Sequence, residues 1–152
     1  MEQRWQGHQG RSLHAKGPFN IIDCSVCGCV HCIPIPSPEE LALVYKEEYY
    51  SIEKPLYFRR MEEDQDWWKL AYGDRFDTFE KFLPKDRRRF LDVGSGPGLF
   101  MVEGKTRGWK GLGIEPSRQA ADYSRNLGLD IVEEFLDPHV AQRIGPFDAV
   151  HL

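Results

Sequence analysis

The sequence lacks the features that mark membrane, secreted and nucleic-acid-binding proteins. None of its hydrophobic runs approaches the roughly 18–20 residues that a membrane-spanning helix needs, so no membrane partner is expected. Basic residues are not in excess: the 152 residues carry a formal net charge of −4, which argues against nucleic acid as a partner. Residues 1–17 lack the basic-then-apolar pattern of a secretory signal, and we therefore expect a cytoplasmic location.

What the composition does provide is an ordinary globular core, with hydrophobic residues making up 41% of the chain. The stretch 1–20 has three glycines, two histidines and no hydrophobic period, which predicts a flexible lead-in without a fold of its own. Residues 21–36 form a cysteine-rich element that ends in an extended, proline-containing segment. These two stretches are predicted to precede the main body of the protein.

A helical cap is predicted over residues 37–84. It begins at a capping box, in which Ser37 and Glu40 flank a proline suited to the first helical position. Farther along, large apolar residues recur at helical spacing from Trp68 to Leu83, and this stripe is predicted to face the core.

Residues 85–152 change to short apolar strands that alternate with helices, which predicts an α/β fold with a Rossmann-like parallel sheet. Right-handed crossovers connect the strands of such sheets. The predicted strands are 90–93, 112–115, 131–132 and 147–152, and the predicted helices are 99–107, 117–127 and 138–143.

A glycine-rich turn follows the first of these strands and opens a helix. Glycines at 94, 96 and 98 allow positive φ and let a ligand approach the backbone N–H groups. About twenty residues later, Glu115 ends the second strand, where a carboxylate can accept hydrogen bonds from both hydroxyls of a ribose. Each feature alone could be merely structural, a tight turn and a surface acid, but together they predict a nucleoside-containing ligand.

The glycine spacing distinguishes between two kinds of nucleoside cofactor. Nicotinamide-binding folds read G-x-G-x-x-G, whereas here Leu99 stands where the last glycine would fall. The segment 91–98, LDVGSGPG, resembles motif I of the class I S-adenosylmethionine-dependent methyltransferases, and the segment 113–117, GIEPS, resembles their second motif.

This resemblance implies S-adenosylmethionine as the cofactor and assigns roles to residues. The three glycines would approach the methionine and ribose, and Asp92 would brace the turn or meet the methionine amino group. Glu115 would hold the ribose, Pro116 would flank the adenine, and two residues after the third strand would contact the adenine. The implied cofactor-binding set is Asp92, Gly94, Ser95, Gly96, Gly98, Glu115, Pro116, Glu134 and Phe135.

The end of the sequence departs from the family. Its members continue past the fourth strand into a helix and three further strands that carry much of the acceptor pocket, so the chain resembles the N-terminal part of a longer methyltransferase. With the strand order 3-2-1-4, the strand ending at Leu152 would lie at an open edge, where a second copy of the chain can pair. Neither the methyl acceptor nor a catalytic residue is identified; His151 is the one candidate for a general base.

All four cysteines fall within nine residues, in the pattern C-x2-C-x-C-x2-C. In a reducing compartment this favours a metal, zinc above all, over disulfides, although unmetallated thiols and an iron–sulfur or redox role stay open. The resemblance extends to methyltransferases with an N-terminal cysteine-rich element, whose upstream knuckle is here replaced by only His8 and His14. The predicted ligands are Cys24, Cys27, Cys29 and Cys32, with His31 as a further candidate.

The predicted function is therefore that of the cofactor-binding portion of an S-adenosylmethionine-dependent methyltransferase. Two other functions stay open: a fragment of an NAD-dependent oxidoreductase, and a non-catalytic module that binds a cofactor or, through zinc, a partner.

Overall fold

The computed structural model describes residues 7–152, which divide into two compact units, one up to Leu43 and one from Val44 to Leu152. The division runs through the predicted helical cap, so that its first helix belongs to the N-terminal unit. The other predicted domain bounds stay predictions.

The N-terminal unit contains a three-stranded antiparallel sheet in the order β1-β2-β3. Its strands are Gly10–Lys16, Phe19–Cys24 and Val30–Ile33. Here the structure corrects the predicted flexible lead-in, because β1 and the start of β2 lie within residues 1–20. Every residue of β1 is exposed, so the strand has no hydrophobic alternation and is defined instead by its backbone pairing with β2.

The capping box predicted at Ser37 is confirmed, and it begins helix α1 at Pro38–Leu43. The Glu40 backbone N–H donates to the Ser37 hydroxyl at 3.1 Å, and the Ser37 N–H donates to the Glu40 carboxylate at 2.7 Å. Each residue thus satisfies a backbone donor of the other, as the motif requires.

The second unit starts with helices and continues as alternating strands and helices. Its first segment, Val44–Glu53, is π-helical. No helix in the described part of the chain is both long and apolar enough to cross a membrane. The remaining helices are α2 Tyr57–Glu63, α3 Gln65–Phe82, α4 Leu99–Thr106, α5 Arg118–Asn126 and α6 Pro138–Ile144, and the strands are β4 Arg89–Val93, β5 Lys110–Ile114, β6 Ile131–Val132 and β7 Ala149–His151.

The four strands form a parallel sheet in the order β6-β5-β4-β7, which confirms both the α/β fold class and the predicted order 3-2-1-4. Consecutive residues of β4 point to opposite faces of the sheet, as strand geometry requires. Phe90 belongs to an aromatic core cluster, and Leu91 belongs to an aliphatic one with Ile114 and Val140. The sheet is therefore covered on both faces, as is usual for parallel sheets.

The predicted aromatic stripe of α3 faces the core from Tyr72 to Leu83, whereas Trp68 lies outside both core clusters. Phe76 is fully buried and stacks on Phe100 of α4, with 4.5 Å between ring centroids. Phe90 lies against Gly104 and Gly111, where an added Cβ would come within 2.7 Å of its ring carbons. Glycine at these two positions lets the helix and the neighbouring strand approach the ring.

Truncating Phe76 to alanine should destabilise the second unit by about 3–5 kcal/mol, because the substitution leaves a cavity in a close-packed aromatic cluster. Phe82→Ala is the matched control on the same helix: Phe82 is 73% exposed, and its loss should change the free energy of unfolding by no more than about 0.5 kcal/mol. Urea unfolding followed by tryptophan fluorescence would measure both. Equal effects of the two substitutions would show that α3 does not pack as described.

Candidate functional site

A cavity of about 380 Å³ lies at the carboxyl ends of the parallel strands. Its position follows from topology: β4 is flanked by β5 on one side and β7 on the other, so the chain changes direction across the sheet at this point. In open α/β sheets, ligands bind in the crevice at such a switch point. The cavity is lined by the glycine turn, by the acidic end of β5 and by a group of tyrosines.

The glycine turn has the backbone geometry that its sequence predicts. Gly94, Gly96 and Gly98 all have positive φ, between 52° and 79°. At Gly98 an added Cβ would lie 2.5 Å from the Leu129 side chain and 2.8 Å from the Ser124 hydroxyl. The turn therefore needs glycine at this position both for its conformation and for the close approach of α5.

Glu115 connects the end of β5 to this turn. Its side chain is buried, and its two carboxylate oxygens accept hydrogen bonds from the backbone N–H groups of Gly96 and Ser117, each at 2.8 Å. Burial raises the pKa of this carboxyl, with a further contribution from Asp92, and the two backbone hydrogen bonds oppose the rise. Each carboxylate oxygen retains a second lone pair, so the group can still accept hydrogen bonds from a ligand.

The Ser95 hydroxyl lies in the same turn. Among residues 7–152, its oxygen is buried without a hydrogen-bond partner. A buried hydroxyl normally has such a partner, and its lack in a cavity wall is the situation that a polar ligand would correct. Together with the open space beside Gly94, where an added Cβ meets nothing within 4 Å, this turn has room and a free hydroxyl for a polar ligand.

Asp92 and His151 form a second polar pair in the cavity wall. They are direct partners in the register of β4 and β7, and His151 Nδ1 lies 2.7 Å from Asp92 Oδ1. His151 stacks on Phe100, with 3.8 Å between ring centroids. Burial raises the pKa of Asp92, and the hydrogen bond with His151 opposes that rise. An imidazole oriented by a buried carboxylate can accept a proton from a bound molecule.

The opposite side of the cavity is aromatic, and sequence reasoning did not assign most of it to the site. Tyr50 is buried, packs edge-on against Tyr49 and Tyr57, and brings its hydroxyl to within 3.0 Å of where a Cβ on Gly96 would lie. Burial raises the pKa of Tyr50, and the nearby Glu115 charge adds to the rise. The signal in the sequence that could have indicated this wall is the density of tyrosines between positions 45 and 57. The tyrosines of the wall are Tyr45, Tyr49, Tyr50, Tyr57 and Tyr72.

The cofactor-binding residues predicted beyond the turn also line this cavity. Pro116 follows Glu115, and Glu134 and Phe135 follow β6. Phe135 is 40% exposed and packs edge-on against Tyr45. Glu134 pairs with Arg143 of α6, an interaction that orients its carboxylate.

In the N-terminal unit, the cysteines of the predicted metal site separate into two groups. Cys24 and Cys27 lie beside His8 and His31, with all four ligand atoms within 4.8 Å of one another. Burial opposes ionisation of the Cys24 thiol, but hydrogen bonds from the Cys27 backbone and the His31 ring outweigh it and lower the pKa to about 6. Two further predicted ligands lie outside this group: the Cys29 thiol contacts the Cys27 carbonyl, and the Cys32 thiol contacts the Pro34 carbonyl.

Comparison with known proteins supports the fold. No family model matches the chain, and no curated protein sequence matches it. Among solved structures, the chain is similar to the plantazolicin methyltransferase BpumL in complex with SAH, with a TM-score of 0.54 and 15% identity over 72% of this chain and 44% of that one. A complex of the same enzyme with a pentazolic desmethylPZN analog and SAH gives a TM-score of 0.52 and 14% identity over the same shares.

At this level of identity the likeness establishes a methyltransferase fold. The chain spans 44% of the length of these matching structures, so the activity and substrates of a whole enzyme do not transfer with the fold.

The pair formed by Asp92 and His151 gives a prediction about pH. Since the pKa of Asp92 is raised in the folded state above its ordinary value of 3.8, the folded protein binds the proton more tightly than the unfolded chain. Stability from this group is full below that value and is lost as pH rises through the raised pKa. Asp92→Asn, which is neutral at every pH, should therefore gain stability relative to the unsubstituted protein as pH rises above about 4.

Urea unfolding of both proteins at several pH values would measure this difference. Asp130→Asn serves as the control, because Asp130 is exposed and its substitution should give a difference that changes little with pH. A pH-independent difference for Asp92→Asn would contradict the prediction.

Proposed function

We propose that the unit from Val44 to Leu152 binds S-adenosylmethionine and forms the cofactor-binding part of a methyltransferase. The observation that carries this proposal is the position of Glu115: its buried carboxylate is hydrogen-bonded to the glycine turn at a cavity where parallel strands end. The two hydroxyls of a ribose placed there can donate hydrogen bonds to the carboxylate, while the glycines leave room beside the backbone.

The other residues of the cavity have complementary parts in the proposal. Asp92, which carries a buried carboxylate, would brace the turn through its strand or receive the methionine amino group. The unpartnered Ser95 hydroxyl would gain a polar partner on the cofactor. Pro116, Glu134 and Phe135, which also line the cavity, would enclose the adenine.

The chemistry supplied by S-adenosylmethionine is transfer of its activated methyl group. In that reaction a lone pair of the acceptor forms a bond to the methyl carbon, the carbon–sulfur bond breaks, and its electron pair remains on the sulfur, which becomes neutral. The protein contributes by aligning the acceptor and excluding water, and the tyrosine wall is suited to both. Where the acceptor is a hydroxyl or an ammonium, the proton it loses can pass to His151, which Asp92 orients.

Several predictions made from the sequence stay predictions. These concern the cytoplasmic location and pairing of a second copy at the β7 edge. The identity of the methyl acceptor belongs with them, since the matching structures share only the fold with this chain.

Calorimetry with S-adenosylhomocysteine and with NAD tests the proposal. We expect the first compound to bind and NAD to give no heat. Glu115→Ala should weaken binding of S-adenosylhomocysteine about tenfold or more, because each hydrogen bond to a charged group contributes about 1.5–3 kcal/mol.

Glu133→Ala is the matched control, since Glu133 is exposed and lies outside the cavity, and it should leave the affinity unchanged. Binding of NAD alone would overturn the proposal in favour of an oxidoreductase. So would the failure of folded protein to bind either S-adenosylmethionine or its demethylated product.

A further inference from the structure

Two histidines and two cysteines of the N-terminal unit bring their ligand atoms together. The nitrogens of His8 and His31 and the sulfurs of Cys24 and Cys27 all lie within 4.8 Å of one another. They come from three separate parts of the chain: the segment before β1, the end of β2 with the turn that follows, and strand β3. The cluster therefore exists only once the sheet has formed.

The backbone of the sheet holds these segments in place. The Ser25 N–H donates to the Gln9 carbonyl at 2.9 Å, which keeps the residues before β1 beside the end of β2. The turn after β2 is closed by the Gly28 N–H, which donates to the Cys24 carbonyl at 3.0 Å. In the register of β2 and β3, His31 is opposite Ile22, so it lies on the same face of the sheet as Cys24.

The distances match those between ligands of a tetrahedral zinc ion. Zinc–nitrogen and zinc–sulfur bonds of about 2.0 and 2.3 Å place two nitrogens about 3.3 Å apart and a nitrogen and a sulfur about 3.6 Å apart. In this cluster His8 Nδ1 lies 3.2 Å from His31 Nε2 and 3.4 Å from Cys24 Sγ. Two of the ligand–ligand distances are therefore close to those of a tetrahedral zinc site.

We infer that the N-terminal unit binds one zinc ion through His8, Cys24, Cys27 and His31. Two thiolates and two imidazoles form one of the closed, four-coordinate sets that structural zinc sites use. This set differs from the four cysteines predicted from the sequence. The sheet explains why Cys32 is not a ligand: it is adjacent to His31 in β3, so its side chain lies on the opposite face of the sheet.

A structural metal would also compensate for the small hydrophobic core of this unit. Of its described residues, Ile22 and Cys24 are the buried hydrophobic ones, and all of β1 is exposed. A unit of about 40 residues rarely has a core sufficient for stability, and metal binding is one of the usual substitutes. A zinc ion joining the three chain segments would contribute its binding free energy directly to folding.

Metal analysis of the full chain and differential alkylation test the inference without any substitution. We expect one zinc ion per chain. Cys27 and Cys29 are both exposed, which makes them a matched pair. In the zinc-loaded protein iodoacetamide should modify Cys29 but not Cys27, and after removal of zinc by a chelator it should modify both.

Cobalt substitution and single variants give a second reading. The thiolate-to-cobalt charge-transfer absorption should have the intensity expected for two thiolates. His8→Asn, His31→Asn and Cys24→Ser should lose the metal, whereas His14→Asn and Cys32→Ser should retain it. If the ligand variants fail to fold, the alkylation pattern of the unsubstituted protein still tests whether Cys27, and not Cys29, binds the zinc ion.

Three results would overturn the inference: no bound metal after incubation with zinc, modification of Cys27 in the presence of zinc, or protection of Cys29 and Cys32 together. The last would restore the four-cysteine site. None of these results affects binding of S-adenosylhomocysteine by the second unit, so the inference and the proposed function can fail separately.

Discussion

A buried carboxylate that accepts two backbone N–H groups holds the candidate cofactor site together. Glu115 accepts a hydrogen bond from Gly96 in the glycine turn and another from Ser117 in the loop after β5, so it links two walls of the cavity. Its burial has an electrostatic cost, visible in the raised pKa, which these two hydrogen bonds reduce. A ligand that donated further hydrogen bonds to the same carboxylate would reduce this cost more.

The parallel sheet places the chemically active groups at one edge. Because all four strands run in the same direction, the side chains that end β4, β5 and β7 meet at their carboxyl ends. Asp92 and His151 are 59 residues apart in sequence and become direct neighbours only through strand pairing. The two units are stabilised in different ways. The second has an aromatic and an aliphatic core cluster, one on each face of its sheet. The first has few buried apolar residues and, by our inference, binds a metal.

Features of both units were predictable because their signals are local. Glycines at alternate positions after an apolar strand specify the turn, and the capping box at Ser37 specifies a helix start through contacts within one turn. The strand order followed from the resemblance to class I methyltransferases, and the sheet has that order. The tyrosine wall was harder to assign, because aromatic residues at helical spacing look the same whether they face a core or a cavity.

The sequence by itself determined the glycine turn, its acidic partner and the α/β architecture, all of which depend on patterns of backbone conformation and hydrophobicity. The tertiary structure decided which side chains share a site. β1 carries no hydrophobic pattern because it is exposed along its whole length, and His8 reaches Cys24 only through pairing between strands. A linear pattern records spacing along the chain, whereas a ligand set depends on distance and on the face of the sheet.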